Sequence, residues 1–285
     1  MRIGAHVSAA GGISKAVDRA MELGAETIQI FASPPQGWAF KPHPPQEIES
    51  FRSKAQEADI RPVFLHGVYL INLATDNAQN LTKAVDSLTF SLDVANKVGA
   101  AGVIFHVGSH KGAGLDAVID QIRDSFIKVL DGAPGEAWLV IENNAGSGQN
   151  LGATFAEVGR IMQRVGSPRV KVCLDTAHCL ASGYDVTSVE GLERAMEEFG
   201  KEVGLENLVA VHANDSKAPL GSGVDRHENI GQGHIGTSGF EAIMGHPAFR
   251  DVPLLLEVPG YDGKGPDKEN LNTLFALRQK LGILT

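Results

Sequence analysis

The feature that most constrains this chain is a repeated alternation of short apolar runs with longer helical stretches. The runs at residues 3–7, 27–32, 62–66, 102–107, 137–142, 170–175, 208–213 and 252–258 are rich in Val, Ile, Leu and Ala, and each has the length of one strand. The clearest helical stretch carries Leu81, Ala84, Val85, Leu88, Leu92, Ala95 and Val98 on one face and stops at Gly99. Another follows Pro44-Pro45, with Ile48, Phe51 and Ala55 on one face. Gly24, Gly99, Gly166 and Gly204 stand where helices should end ahead of a strand. Strands alternating with helices build a parallel sheet, which is either closed or doubly wound. The number of units and the absence of a dinucleotide fingerprint in Ser8-Ala9-Ala10-Gly11-Gly12 favour closure. The expected fold is therefore α/β, a single (β/α)8 TIM barrel over residues 1–285, with its active site at the C-terminal ends of the strands.

A chain of 285 residues can bury a large core without disulfides, and no linker or composition shift marks a second domain. Its two cysteines, Cys173 and Cys179, make no disulfide framework and fit a reducing compartment. The N-terminus shows no signal peptide, and no apolar run is long enough to span a bilayer. The expectation is a cytoplasmic monomer with no membrane partner. The net charge of −9 ordinarily argues against a nucleic-acid partner. That argument lapses if the excess carboxylates are metal ligands, because each divalent cation adds positive charge where a phosphate would sit.

The strand ends carry the chemistry. The third run ends in His66, the fourth in His106, the fifth in Glu142, and the sixth in Asp175 with His178 just beyond. The seventh reaches His212, the eighth Glu257, and the long stretch 214–236 adds Asp225-Arg226-His227. Any one of these alone is an ordinary hydrogen-bonded packing residue or helix cap. Together they would crowd ionised carboxylates at one mouth, a repulsion that divalent cations remove. Mixed imidazole and carboxylate ligands suit zinc, manganese or iron. Nine ligands exceed one metal, and three per open catalytic site implies three metals. Clusters of close metals serve phosphoester chemistry.

The chain resembles the endonuclease IV family of apurinic/apyrimidinic DNA repair endonucleases, barrels of the xylose isomerase type. The resemblance rests on Gly4-Ala5-His6-Val7-Ser8-Ala9-Ala10-Gly11-Gly12, Tyr69-Leu70-Ile71-Asn72-Leu73, His106-Val107-Gly108-Ser109-His110 and Ile141-Glu142-Asn143. It continues through Leu174-Asp175-Thr176-Ala177-His178, His212-Ala213-Asn214-Asp215-Ser216-Lys217, Val224-Asp225-Arg226-His227 and Leu256-Glu257. It implies three zinc ions: His66 and His106 on the first, Glu142 bridging to the second, Asp175, His212 and Glu257 completing the second, and His178, Asp225 and His227 on the third. Glu142 and Glu257 become the catalytic carboxylates. The implied substrate is double-stranded DNA with an abasic site, cleaved on its 5′ side to leave a 3′-hydroxyl.

The resemblance further implies that Tyr69 and Leu70 enter the duplex, and Gln36 and Arg226, in the loops after the second and seventh runs, are further candidate DNA contacts. His6, His110 and Asn143 are expected to hydrogen-bond behind the ligands. His43, His234 and His246 read as solvated, Cys179 as packing, and Lys111, Lys217 and Lys264 as ordinary charges placed where they can meet phosphates. In two places the chain departs from the family. Ser33-Pro34-Pro35-Gln36-Gly37-Trp38 lacks the Asn and Arg that usually precede this tryptophan, and Val107 stands where a proline is usual. The alternative function is a metal-dependent sugar isomerase or epimerase on the same barrel, which needs only Glu142, Asp175, His212 and Glu257.

Overall fold

The computed structural model describes residues 1–283. Eight parallel strands close a barrel: β1 (Ile3–His6), β2 (Ile28–Phe31), β3 (Val63–His66), β4 (Gly102–Phe105), β5 (Trp138–Glu142), β6 (Val170–Asp175), β7 (Leu208–His212) and, last in sequence, β10 (Leu254–Leu256). β1 pairs with both β2 and β10, so no barrel edge is left open. Each strand falls within its expected run, and most are shorter by a residue or two because the ladder ends where the chain turns outward.

The barrel interior holds an apolar layer of Phe64, Ile104, Val140, Cys173, Ala210 and Leu255, all fully buried. Their strand neighbours point outward, into the larger core beneath the helices. Gly4 is demanded by the closure: a Cβ there would lie 1.6 Å from the carbonyl oxygen of Thr27, the residue just before β2. The bottom of the barrel is clasped by Glu26, which accepts from the Ile3 amide at 3.0 Å and from the Arg278 guanidinium at 2.6 and 2.8 Å.

The outer ring consists of α1 (Ser14–Leu23), α2 (Pro45–Glu57), α3 (Ala78–Val98), α4 (Leu115–Gly132), α5 (Phe155–Val165), α6 (Thr176–Ser182), α7 (Val189–Glu202), α8 (Gly236–Gly245) and α9 (Lys268–Lys280). Side chains cap several N-termini: Asn77 accepts from Asn80 N, Thr154 from Glu157 N, and Ser188 from Gly191 N. Gly24, Gly99 and Gly166 are left-handed C-caps, as expected. Gly204 is not a cap: Val203 holds that position, and Gly204 leads into a 3-10 turn at Leu205–Asn207. Stretch 214–236, in which no element was expected, contains an antiparallel pair, β8 (Asp215–Ser216) with β9 (His227–Glu228). Two-residue strands carry no periodic signal, so their pattern is silent in sequence. No helix of the described residues is long and apolar enough to cross a membrane.

Candidate metal centre

The strand ends deliver their side chains to one cavity of about 1080 Å³, lined among others by His6, His66, His106, Glu142, His178, Asp225, His227 and Glu257. Glu142, the last residue of β5, is at its centre. His66 Nε2 and His106 Nε2 lie 3.2 and 3.3 Å from one carboxylate oxygen, and His178 Nδ1 and His212 Nδ1 lie 3.4 and 2.9 Å from the other. Burial pushes the Glu142 carboxyl up. The His106 and His212 charges, with hydrogen bonds from His212 and His66, outweigh it and hold the group well below the usual range.

Local folding fixes each ring. His66 Nδ1 donates to the Gly67 carbonyl at 2.7 Å, which turns Nε2 inward. Asp175 ends β6 and caps α6, accepting from the His178 amide at 2.8 Å, so one short turn sets both side chains. His178 Nδ1 donates to the Asn143 carbonyl at 3.0 Å, and its Nε2 faces Asp225 at 3.3 Å. His227, on β9, places Nε2 3.4 Å from Asp225 and 3.6 Å from Asp175. The ladder unseen in sequence is thus what returns His227 to the mouth. Glu257, just past β10, lies 3.3 Å from His212 Nδ1.

Three sets of potential ligand atoms cluster within 4.8 Å: His106, Glu142 and His178; Asp175, His178 and His227; and Glu142, Asp175, His212 and Glu257. The last set holds the residues the resemblance implies for the second ion, and the other two match the implied first and third sets only in part. His178 belongs to two sets, whereas His66 and Asp225 stand beside them without joining one. His106 Nδ1, His178 Nε2 and His227 Nε2 are buried with no hydrogen-bond partner among the described residues. Unpaired buried nitrogens beside carboxylates are costly for a protein alone and natural for ligands of a divalent cation. Burial works against a charge on His178, yet Asp175, Asp225 and Glu142 raise its imidazole to about 10, a field a cation satisfies equally. The residues therefore fit a metal cluster by donor type, burial and orphaned atoms.

Behind the ligands, Asn143 accepts from the Asp175 amide at 2.6 Å, and His6 Nδ1 lies 3.3 Å from Glu257. His110 does not take the role expected of it. Its ring accepts from the amides of Gly112 and Gly114 and folds its own loop. His43 and His246 are not solvated either: one contacts the Ala32 carbonyl at 2.9 Å, and the other accepts from the Ala248 amide. Cys179 is buried against Asn143, and His234 is exposed.

Tyr69 and Leu70 are exposed at the rim, 66% and 40% accessible, with the Tyr69 ring edge-on to Phe31. The Tyr69 amide donates to the Pro35 carbonyl at 3.1 Å, tying the loops after β3 and β2 together. Arg226 and Lys264 line the cavity, whereas exposed Gln36 stands outside its lining and Lys217 pairs with Glu228.

Three supporting residues went unread in the sequence. Gln29 on β2 touches His212, Glu257 and His6. Asn214 donates to Asp175 at 2.7 Å and accepts from the Glu257 amide at 2.7 Å. Buried Asp215 accepts from the amides of Gly231, Gly233, Ile235 and Gly236, which shapes the loop beyond β9. A lone amide inside the apolar run 27–32 was the available signal for Gln29.

Residues 17–279 match the family described as xylose isomerase-like TIM barrel. The chain is 38% identical over 275 residues to a probable endonuclease 4 of Halothermothrix orenii, covering 96% of this chain and 99% of that protein. It superposes on the crystal structure of endonuclease IV from Thermus thermophilus with a TM-score of 0.87 at 33% identity, over 98% of this chain and 100% of that one. A D-tagatose 3-epimerase-like protein shares the fold at 16% identity, with a TM-score of 0.73 over 99% of this chain and 98% of that one.

Proposed function

The chain belongs to the endonuclease IV family and is a hydrolase of the nuclease kind, and on that premise we propose that it cleaves DNA on the 5′ side of abasic sites with the aid of three zinc ions. The observation that carries the reading is Glu142, within 3.4 Å of four imidazoles at a mouth where three buried ring nitrogens have no hydrogen-bond partner among the described residues. A sugar isomerase needs neither the second imidazole set nor the Asp225 and His227 pair.

The cations supply, when bound, Lewis acidity toward a phosphodiester and acidification of water. The protein's own groups do the rest. Asp175 and His178 arrive preset by a single helix cap, so little ordering remains when the substrate docks. Glu257, less buried than Glu142, faces the cavity and takes the proton of the attacking water. Its carboxyl is pushed up by burial, but the charge of His212 outweighs that and holds it low, so it is ionised at neutral pH. The water oxygen bonds to phosphorus in line as the bond to the 3′-oxygen breaks, and that oxygen leaves as an alkoxide that takes a proton from solvent to become the 3′-hydroxyl. Arg226 and Lys264 meet the flanking phosphates, and Tyr69 with Leu70 fills the gap in the stack. An abasic nucleotide leaves the duplex cheaply because no base pair is broken.

The test uses zinc-loaded protein on a duplex with one synthetic abasic site and on its undamaged twin. Cleavage of the first alone, with a product end that a polymerase extends, is expected. Failure to cut either duplex, together with interconversion of aldose and ketose sugars, would overturn the reading.

A further inference from the structure

The side chain of Gln29 is fully buried beneath the site and touches three of its members at once. Its Oε1 lies 2.9 Å from His212 Nε2, and its Nε2 lies 2.6 Å from Glu257 Oε1 and 2.9 Å from His6 Nδ1. A carboxylate only accepts hydrogen bonds, so the 2.6 Å contact fixes which end of the amide is nitrogen. That assignment propagates in both directions. On one side Oε1 must accept, so His212 carries its proton on Nε2 and turns Nδ1 toward Glu142 and Glu257. On the other side the second amide proton points at His6 Nδ1 at 2.9 Å, nearer than the Glu257 oxygen at 3.3 Å, so that Nδ1 accepts from the amide. His6 then holds its proton on Nε2, an atom with no protein hydrogen bond among the described residues, in a ring that lines the cavity.

We propose that Gln29 is a positioning residue that sets the tautomers of two histidines: it directs His212 to the metal cluster through Nδ1 and leaves the His6 Nε2–H as a donor facing the substrate. The contrast with the neighbouring ligands supports the first half. The rings of His66 and His178 are fixed by backbone carbonyls through Nδ1, so they expose Nε2. Only a partner on the Nε2 side gives His212 the opposite sense, and Gln29 is that partner. Register makes the reach possible: β1 pairs His6 with Gln29 directly. The proposal rests on the metal centre, not on the identity of the substrate.

The decisive measurement is long-range ¹H–¹⁵N correlation of the histidine rings in protein labelled with ¹⁵N-histidine and loaded with zinc. In the wild type, His212 and His6 should both be protonated at Nε2. A proton on Nδ1 of His6, or zinc on Nε2 of His212, overturns the proposal whatever the variants do. Gln29→Met keeps the reach and removes all three hydrogen bonds; its zinc should be lost to a chelator at about 10–100-fold lower concentration than in wild type. Gln29→Glu keeps an acceptor for His212 but has no proton to donate, so His6 should switch to the Nδ1–H form. Unchanged zinc retention in Gln29→Met, with His6 still protonated at Nε2, would show that Gln29 only fills space. A chain that binds no zinc by elemental analysis would instead count against the metal centre itself, and the His6 tautomer would still be read.

Discussion

Stripping the metal should lower the melting temperature by an amount that counts the ions. Ligands that bind only the folded chain stabilise it by RT ln(1 + [L]/Kd), about 4.1 kcal/mol for an ion held at about 1,000 times its Kd. Three such ions contribute about 12 kcal/mol, and one contributes about 4 kcal/mol. The unfolding entropy of a 285-residue chain is about 0.6 kcal/mol/K, from about 2.1 cal/mol/K per residue. The shift is then about 20 °C for three ions and about 7 °C for one. The structure sets the direction independently. His106 Nδ1, His178 Nε2 and His227 Nε2 have no hydrogen-bond partner among the described residues, and each unsatisfied buried group costs about 1–3 kcal/mol. Calorimetry of zinc-saturated and chelator-treated protein, with free zinc buffered, gives the shift, and elemental analysis of the same samples gives the count. A shift near the lower value with a single bound ion would refute the three-ion site, however well the ligands cluster.

Glu142→Gln removes a charge that four imidazoles share, and kcat should fall by a factor of about 100 or more while the fold persists. Near-normal turnover would remove the bridging role. Gln36 is exposed at the rim where the family carries a basic residue, so Gln36→Arg should lower KM for the abasic duplex and steepen the salt dependence of binding by up to about one counterion. If neither changes, this loop does not limit binding. Burial raises the Glu26 carboxyl, but Arg278 and the Ile3 amide outweigh it and the folded value lies below the ordinary one. Its stabilisation is therefore present above the unfolded carboxylate value of about 4.3 and is lost as pH falls through the folded value. Glu26→Gln should cost about 1–2 kcal/mol at pH 7 by denaturant titration and nothing once the wild-type carboxyl is protonated. A cost independent of pH would show that shape, not charge, holds the clasp.

The barrel was legible because its strands are buried on both faces and therefore read as near-continuous apolar runs broken by glycine-capped helices. The candidate ligand positions stood out for a related reason: a charged residue ending such a run has few structural explanations. What stayed hidden depends on contacts between residues distant in sequence. His110 looked like its neighbour His106, and only its two amide partners show that it shapes a loop. Gln29 looked like one polar residue in a strand until closure placed it under His6, His212 and Glu257. The β8 and β9 pair has too few residues for a period, yet it decides where His227 stands. Metal grouping was also beyond the sequence, since His178 lies within reach of two sets and nothing in a linear motif shows that.

The acidity of the chain and a polyanionic substrate are compatible once charge is located and not merely summed. Four of the carboxylates in the net charge of −9, those of Glu142, Asp175, Asp225 and Glu257, face imidazoles at the mouth. Three divalent cations would bring about six positive charges to that spot and take the total to about −3. Much of the remaining acidity lies on the outer helices, where Asp116 and Asp120 of α4 pair with Arg160 and Arg164 of α5 and Glu193 faces His246. Charges separated from the mouth by more than a Debye length of about 8 Å are largely screened at physiological salt. With cations bound, a phosphate approaching the cavity would meet them, Arg226 and Lys264 at close range, and the outer carboxylates hardly at all. The isoelectric point of such a chain reports on its solubility, and the few residues at the strand ends determine which partner it can hold.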